Sequence, residues 1–350
     1  MSSSNMASSQ SSSPETKREV SEEPEDIWRF HTGFGRRFNT KDYKFILPAD
    51  DEEMSRQDLL HRILVMALDS LYACPEIVQP LLAPREGPAP GVLELGTGSG
   101  IWAREMAEEF QFAEVLGIDA QAPPADRDVP VNCRFEVDDI NLSISHYTQC
   151  FDVVHCRAID FYVRDYPKFL YEISRVLRPG GVVLLVYPVK AFFNEQYEPF
   201  PWDAEEGQEG FCFMQACFKA IHASTKTRQG SEDAYLSYRK MLSENPNFDE
   251  GSITVKELHI PISPWPERMN EHDSTICSMM GRNMEAILRS YQPLLIETGM
   301  DPAEADRLLA GAKKEIYTLS LRAYTRWIYA WAIRKPTPWQ GPPGGMSPGS

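Results

Sequence analysis

Gly91-Val92-Leu93-Glu94-Leu95-Gly96-Thr97-Gly98-Ser99-Gly100-Ile101-Trp102 decides the fold of this chain. A strand-like apolar run, 92–95, leads into three glycines at alternate positions, and a helix-like stretch, 100–110, follows. Glycines there let the backbone turn tightly and approach a ligand without a Cβ clash. The helix start beyond them is expected to offer unpaired N–H groups to an anionic or carboxylate-bearing ligand. A dinucleotide site would need G-x-G-x-x-G, and after Gly96 and Gly98 the third position holds Ile101. The third glycine arrives at Gly100 instead, and Glu94 stands just ahead of the first.

Downstream, strand-like runs at 114–118, 132–137, 151–156 and 182–187 alternate with a helix-like stretch at 165–177 that the breakers Arg178-Pro179-Gly180-Gly181 close. Such alternation predicts an α/β protein with a parallel, doubly wound sheet. The second strand ends at Asp119, an acid able to accept both ribose hydroxyls of an adenosine. The third ends Phe135-Glu136-Val137-Asp138-Asp139-Ile140.

The loop spacing and these acids resemble class I S-adenosylmethionine-dependent methyltransferases. That resemblance implies a Rossmann-like, mostly parallel seven-stranded sheet with an antiparallel last strand and helices on both faces. It implies S-adenosyl-L-methionine as cofactor, held by Glu94, Gly96, Thr97, Gly98, Gly100, Trp102, Asp119, Ala120, Asp138, Asp139, Ile140 and His155. In the family pattern the acid after the third strand accepts from the adenine amino group and the next N–H meets a ring nitrogen. Asp139 with Ile140 is the favoured pair here, and Asp138 is the alternative.

Around this core, at 91–188, the chain divides simply. Residues 1–26 are rich in Ser, Glu and Pro and read as a disordered tail, as do the Pro- and Gly-rich residues 336–350. The resemblance implies that residues 27–335 make one methyltransferase domain. Leu59, Leu60, Ile63, Leu64, Met66, Ala67 and Leu71 recur at helical spacing and predict an amphipathic helix within 51–73, a helical N-terminal extension. Helical insertions at 190–250 and 266–320 are expected to form a substrate lid, with strands at 252–263 and 322–334.

A narrower resemblance covers about 28–336. Tyr43-Lys-Phe-Ile-Leu47-Pro48-Ala-Asp50, Arg56-Gln57-Asp58-Leu-Leu-His61, Asp138-Asp139, Phe151-Asp152 through His155-Cys-Arg157, Pro261-Ile-Ser-Pro-Trp265-Pro and Ala332-Ile-Arg334-Lys335-Pro336 are similar to the fungal LaeA-like methyltransferases, which include the velvet-associated members. Gln57 departs from the family's usual Leu, and Tyr187-Pro188 stands where many relatives carry a carboxylate or amide. The resemblance implies either of two jobs. One is methyl transfer to a small secondary metabolite at O, N or C by in-line displacement. The other is regulation of fungal secondary metabolism and development in a complex with a protein partner, by protein methylation or cofactor binding alone.

For the chemistry, His155 is the first candidate for a base, because it ends the fourth strand beside the expected methyl position. Tyr43 and Tyr187 are candidates to orient an acceptor, and Trp102 is expected to pack beside the cofactor. No complete metal ligand set is visible. Charge narrows the partners: 35 basic against 51 acidic side chains give −16, which disfavours direct nucleic-acid binding. No apolar run reaches the roughly 20 residues of a spanning helix, and the seven scattered cysteines contain no C-x-x-C pair. These features predict a soluble protein of a reduced compartment, cytoplasmic or, with a partner, nuclear.

Overall fold

Residues two apart along the central strands turn to the same face of the sheet, and this alternation builds two cores. The computed structural model describes residues 30–39, 47–142, 144, 146–225 and 234–342. A hairpin, β1 (Phe30–Gly33) and β2 (Arg36–Asn39), precedes α1 (Asp51–Leu68) and α2 (Pro75–Leu82). Then come β3 (Gly91–Leu95), α3 (Ile101–Glu109), β4 (Glu114–Asp119), β5 (Cys133–Val137), β6 (Phe151–Arg157), α4 (Tyr166–Val176) and β7 (Leu177–Phe193). The chain continues through α5 (Phe213–Thr225), α6 (Tyr238–Glu244), β8 (Thr254–Pro261), α7 (Glu271–Glu297), α8 (Pro302–Tyr317) and β9 (Tyr324–Ile333).

Seven strands lie in the order β5-β4-β3-β6-β7-β9-β8. β9 pairs antiparallel with both β7 and β8, while the pairings from β5 to β7 are parallel, as expected of an antiparallel last strand. From β3 the chain winds outward through β4 to β5, then crosses back to β6 and β7. The carboxyl ends of β3 and β6 therefore flank the switch point, where an open α/β sheet leaves a crevice.

Val92, Val115, Val153, Val182 and Leu184 face α1, α2, α3, α5, α7 and α8, whereas Leu93, Leu116, Val154, Val183 and Leu185 face α4 and α6. Two expectations about these layers change. The proposed lid at 190–250 divides: α5 stays on the first face, but α6 sends Tyr238 and Leu242 into the second core. Its anchor is Asp160, whose carboxylate accepts from the Tyr238 hydroxyl at 2.6 Å and the Tyr166 hydroxyl at 3.2 Å. The C-terminal boundary also moves. Trp339, assigned by composition to a tail, donates to Ser174 Oγ at 3.1 Å, and Gln340 exchanges two hydrogen bonds with Asn247. One indole and one amide outweigh the breakers around them.

The helix that covers the crevice is α1. Its start is specified locally: the Asp50 carboxylate accepts from the Glu53 N–H at 3.1 Å, and Asp51, Glu52 and Glu53 complement the dipole of the first turn. Asp69 in the left-handed conformation ends it at Leu68, short of the expected 73. Buried polar groups then clamp it to α7. The Glu53 carboxylate accepts from Arg56 Nη2 at 2.7 Å and from Ser290 Oγ at 2.9 Å, and Arg56 Nη1 donates to Asn283 Oδ1 at 3.0 Å.

Candidate active site at the switch between β3 and β6

A cavity of about 420 Å³ opens at this switch point, within the size range of small-molecule sites. One end is polar and lies at the strand ends: Gly96, Thr97, Gly98, Asp119, Ala120, Gln121, Asp138, Asp139 and Ile140. The other is mostly apolar and aromatic, with Phe161, Tyr162, Tyr187, Phe218, Ile221, Met284, Ile287, Tyr291 and Trp327. The first end comes from the core sheet. The second is walled largely by α5 and α7, with α8 packed behind α5.

The glycine loop is tight. Gly96, Gly98 and Gly100 all have positive φ, at 74°, 53° and 74°. A Cβ at Gly98 would stand 2.2 Å from Gln57 Oε1, so α1 approaches the loop as closely as glycine allows. Gly100 serves packing instead: it does not line the cavity, and a Cβ there would meet the Phe135 ring at 2.8 Å. The N–H groups of the loop ahead of this helix are used within the protein. Gly96 and Thr97 donate to Ile118 O, Gly98 to Asp119 Oδ2 at 2.8 Å, Ser99 to Gln57 Oε1 at 3.0 Å and Gly100 to Thr97 O. Every N–H from Gly96 to Gly100 already has a protein acceptor.

The acids differ in how much capacity they retain. Asp119 takes the Gly98 N–H on Oδ2 and the Gln121 N–H on Oδ1, and each oxygen keeps a second lone pair. Burial pushes its carboxyl up to about 6, against the pull of those N–H groups. Asp139, the favoured adenine acceptor, is heavily engaged: Oδ1 accepts from both nitrogens of Asn141 at 2.9 Å, and Oδ2 lies 3.7 Å from Arg164. Asp138 takes the Asp139 N–H on Oδ1, and among the described residues no donor reaches its Oδ2.

Four of the expected site residues stand outside the cavity wall, Gly100 being one. Glu94, Trp102 and His155 lie beneath it, on the face of the sheet covered by α1 and α3. Period-2 alternation puts Glu94 and His155 on the same face as Val92 and Val153. The Trp102 indole is fully buried and donates to Leu71 O at 2.9 Å, and its ring stacks on His155 with centroids 3.9 Å apart. Glu94 accepts from Thr97 Oγ1 at 2.6 Å and lies 3.4 Å from His155 Nδ1. Burial holds His155 below its ordinary pKa, so a neutral, packed imidazole replaces the expected base at the methyl position. Tyr187 does line the cavity; Tyr43 lies outside the described residues.

Arg56, Gln57, Arg157, Asn283 and Tyr291 reach the wall without having been predicted as site residues. Gln57 and Arg157 lay inside stretches already singled out for resemblance. Asn283 and Tyr291 belong to α7, where a helix-spaced apolar pattern conceals which residue faces a ligand.

A strand-turn-helix glycine loop at the switch point of a seven-stranded sheet with an antiparallel β9 defines a class I methyltransferase fold. Residues 66–217 match the family described as methyltransferase domain. The chain is 31% identical to the secondary metabolism regulator laeA of Coprinopsis cinerea, over 87% of this chain and 73% of that one. It is 26% identical to the methyltransferase pytC of Aspergillus terreus, over 83% of each, and 23% identical to the methyltransferase str2 of Strobilurus tenacellus, over 85% of this chain and 98% of that one. The chain belongs to the laeA-like methyltransferase family.

Proposed function

We propose that this protein transfers a methyl group from S-adenosylmethionine to a small-molecule acceptor held in the aromatic half of the cavity. The observation that carries the reading is the shape of the cavity, which joins acid-bearing strand ends to a chamber walled by α5 and α7. The residues present fit the cofactor. Asp119 keeps lone pairs for two ribose hydroxyls, and Asp138 Oδ2 is open to the adenine amino group, so Asp138 takes the role expected of Asp139. The glycine backbone leaves room where any side chain would intrude.

When bound, S-adenosylmethionine supplies a methyl group made electrophilic by its sulfonium. The protein's work is positioning: an acceptor atom must sit in line with the methyl–sulfur bond, and binding in a walled chamber provides the proximity. Tyr187, Tyr162, Tyr291 and Trp327 supply flat apolar surface and polar edges for a ring-bearing acceptor. Among the described residues no histidine lines the cavity, so an acceptor that is already nucleophilic near neutral pH suits it best.

Calorimetric titration with S-adenosylmethionine tests the reading, beside Gly98→Arg and Asp119→Ala. Micromolar binding that both substitutions abolish is the expected result. No binding by folded wild type would overturn it.

The likeness to a secondary metabolism regulator favours a second reading, in which the chain works with a protein partner. Turnover to S-adenosylhomocysteine on a metabolite panel without added protein supports the first reading. Turnover only with a co-purified partner supports the second.

A further inference from the structure

We propose that Arg157 is the carboxylate-binding residue of the cavity, its guanidinium pairing with a carboxylate of a bound ligand. The carboxylate comes either from the amino-acid end of the methyl donor or from an acid group on the acceptor. The inference rests on the methyl-transfer reading above and adds to it the chemistry of one subsite.

Three observations converge on this residue. First, the glycine loop cannot serve a carboxylate as it stands, because Gln57, Asp119 and backbone carbonyls take its N–H groups from Gly96 to Gly100. Second, two other arginines of the wall are committed. Arg56 is bound to Glu53 through Nε and Nη2, and Arg164 lies 3.7 Å from Asp139.

Third, among the described residues no carboxylate pairs directly with the Arg157 guanidinium. Its one recorded side-chain hydrogen bond joins Nη1 to His61 Nδ1 at 3.1 Å. Because a guanidinium only donates, His61 Nδ1 is the lone-pair nitrogen, and Nε2–H donates to Glu105 at 2.8 Å. His61 is therefore a neutral partner, in keeping with the burial that lowers its pKa. Among the described residues no acid lies within ion-pair distance of Arg157. The nearby acids are occupied, Glu105 by His61 and Glu94 by Thr97.

Its placement suits a ligand. Leu95 pairs with Cys156 across β3 and β6, so Arg157 follows immediately beside Gly96 at the mouth of the loop. Arg157 borders the main cavity and also a void of about 20 Å³ below it, room for one water at most. One water does not neutralise a guanidinium, whereas a carboxylate does, with two parallel N–H donors matched to its two oxygens.

The test is calorimetry on the full-length protein with two ligand pairs. S-adenosylhomocysteine is compared with 5′-methylthioadenosine, which lacks the amino-acid end. On protein saturated with S-adenosylhomocysteine, 2-naphthoate is compared with 2-naphthamide. Wild type should bind the carboxylate member of at least one pair tenfold or more tightly. Arg157→Gln should abolish that preference, and Arg157→Lys should keep part of it. A response in the first pair places the carboxylate on the cofactor, and in the second on the acceptor. No preference in either pair with wild type overturns the proposal whether or not the variants fold. A preference surviving in folded Arg157→Gln overturns it too. Equal binding of both adenosyl ligands with no naphthoate preference sinks this proposal alone; failure of both to bind sinks the methyl-transfer reading with it.

Discussion

Asp119 ties cofactor affinity to pH in a direction opposite to fold stability. Burial raises its carboxyl from 3.8 to about 6, and the proposed ribose recognition needs the ionised form. At pH 5 only about a tenth of such a group is ionised, so apparent affinity for S-adenosylhomocysteine should fall about tenfold between pH 7.5 and 5. Stability moves the other way. Between about pH 4 and 6 the folded state holds a proton that the unfolded chain has released, so this group's contribution is fully present below the unfolded pKa. It is lost as pH rises through the folded one. The full difference is on the order of 3 kcal/mol at about 1.4 kcal/mol per pKa unit.

Asp119→Asn should remove both dependences. Binding loses two hydrogen bonds to a charged acceptor, about 1.5–3 kcal/mol each, so affinity at pH 7.5 should drop at least 10²-fold, an order-of-magnitude figure. Stability at that pH should change by less than about 2 kcal/mol, because relief of the buried charge offsets the clash of an amide NH₂ with the Gly98 or Gln121 N–H. Calorimetry and urea melts from pH 5 to 8 on both proteins give the answer, and the difference between them cancels Asp160, which burial also raises, to about 7. Wild-type affinity flat across that range, or Asp119→Asn binding within about threefold of wild type, would refute this account of the site.

Other consequences are more local. His155→Phe keeps the ring stacked on Trp102 but leaves Glu94 with Thr97 alone; it should cost about 2 kcal/mol of stability and leave the pH–rate profile unchanged. A turnover loss of about a thousandfold with binding intact, the scale of a lost acid–base catalyst, would return His155 to the chemistry. Gly98→Ala places a Cβ against the movable end of Gln57 at positive φ, so urea melts should show a loss of roughly 1–2 kcal/mol. Adding Gln57→Ala should recover part of that loss, and strictly additive effects would deny the contact. Asp152 accepts from Arg85, Arg178 and the Gly91 N–H at the opposite end of the strands, where it is buried. Asp152→Ala should cost roughly 3–5 kcal/mol, and a loss under about 1 would mean that water replaces the network.

The sheet could be read from the chain because its signals are local. Each parallel strand is a short apolar run ended by an acid or a turn, and β9 was visible as an aromatic strand after the last helix. What escaped depended on tertiary contact. The hairpin of β1 and β2 is short, and helix-spaced Tyr238 and Leu242 say nothing about which face of the sheet they will meet. Trp339 lies among breakers that composition assigns to a tail, yet its indole finds Ser174, distant in sequence.

The site divides along the same line. Motif positions locate backbone, and Gly96, Gly98, Asp119 and Asp138 all border the cavity. Side-chain direction is a separate variable, set at Glu94 and His155 by strand alternation and at Trp102 by the inward face of α3. Those three turned beneath the cavity floor and became its support. The same alternation carries Arg157 toward α1, where it meets a neutral histidine instead of an acid. Gln57, from α1, accepts from the Ser99 N–H and so occupies one donor of the glycine loop. With the loop N–H groups from Gly96 to Gly100 used within the protein, the proposal gives recognition of a carboxylate to a side chain, and Arg157 stands beside the loop with no carboxylate at ion-pair distance among the described residues.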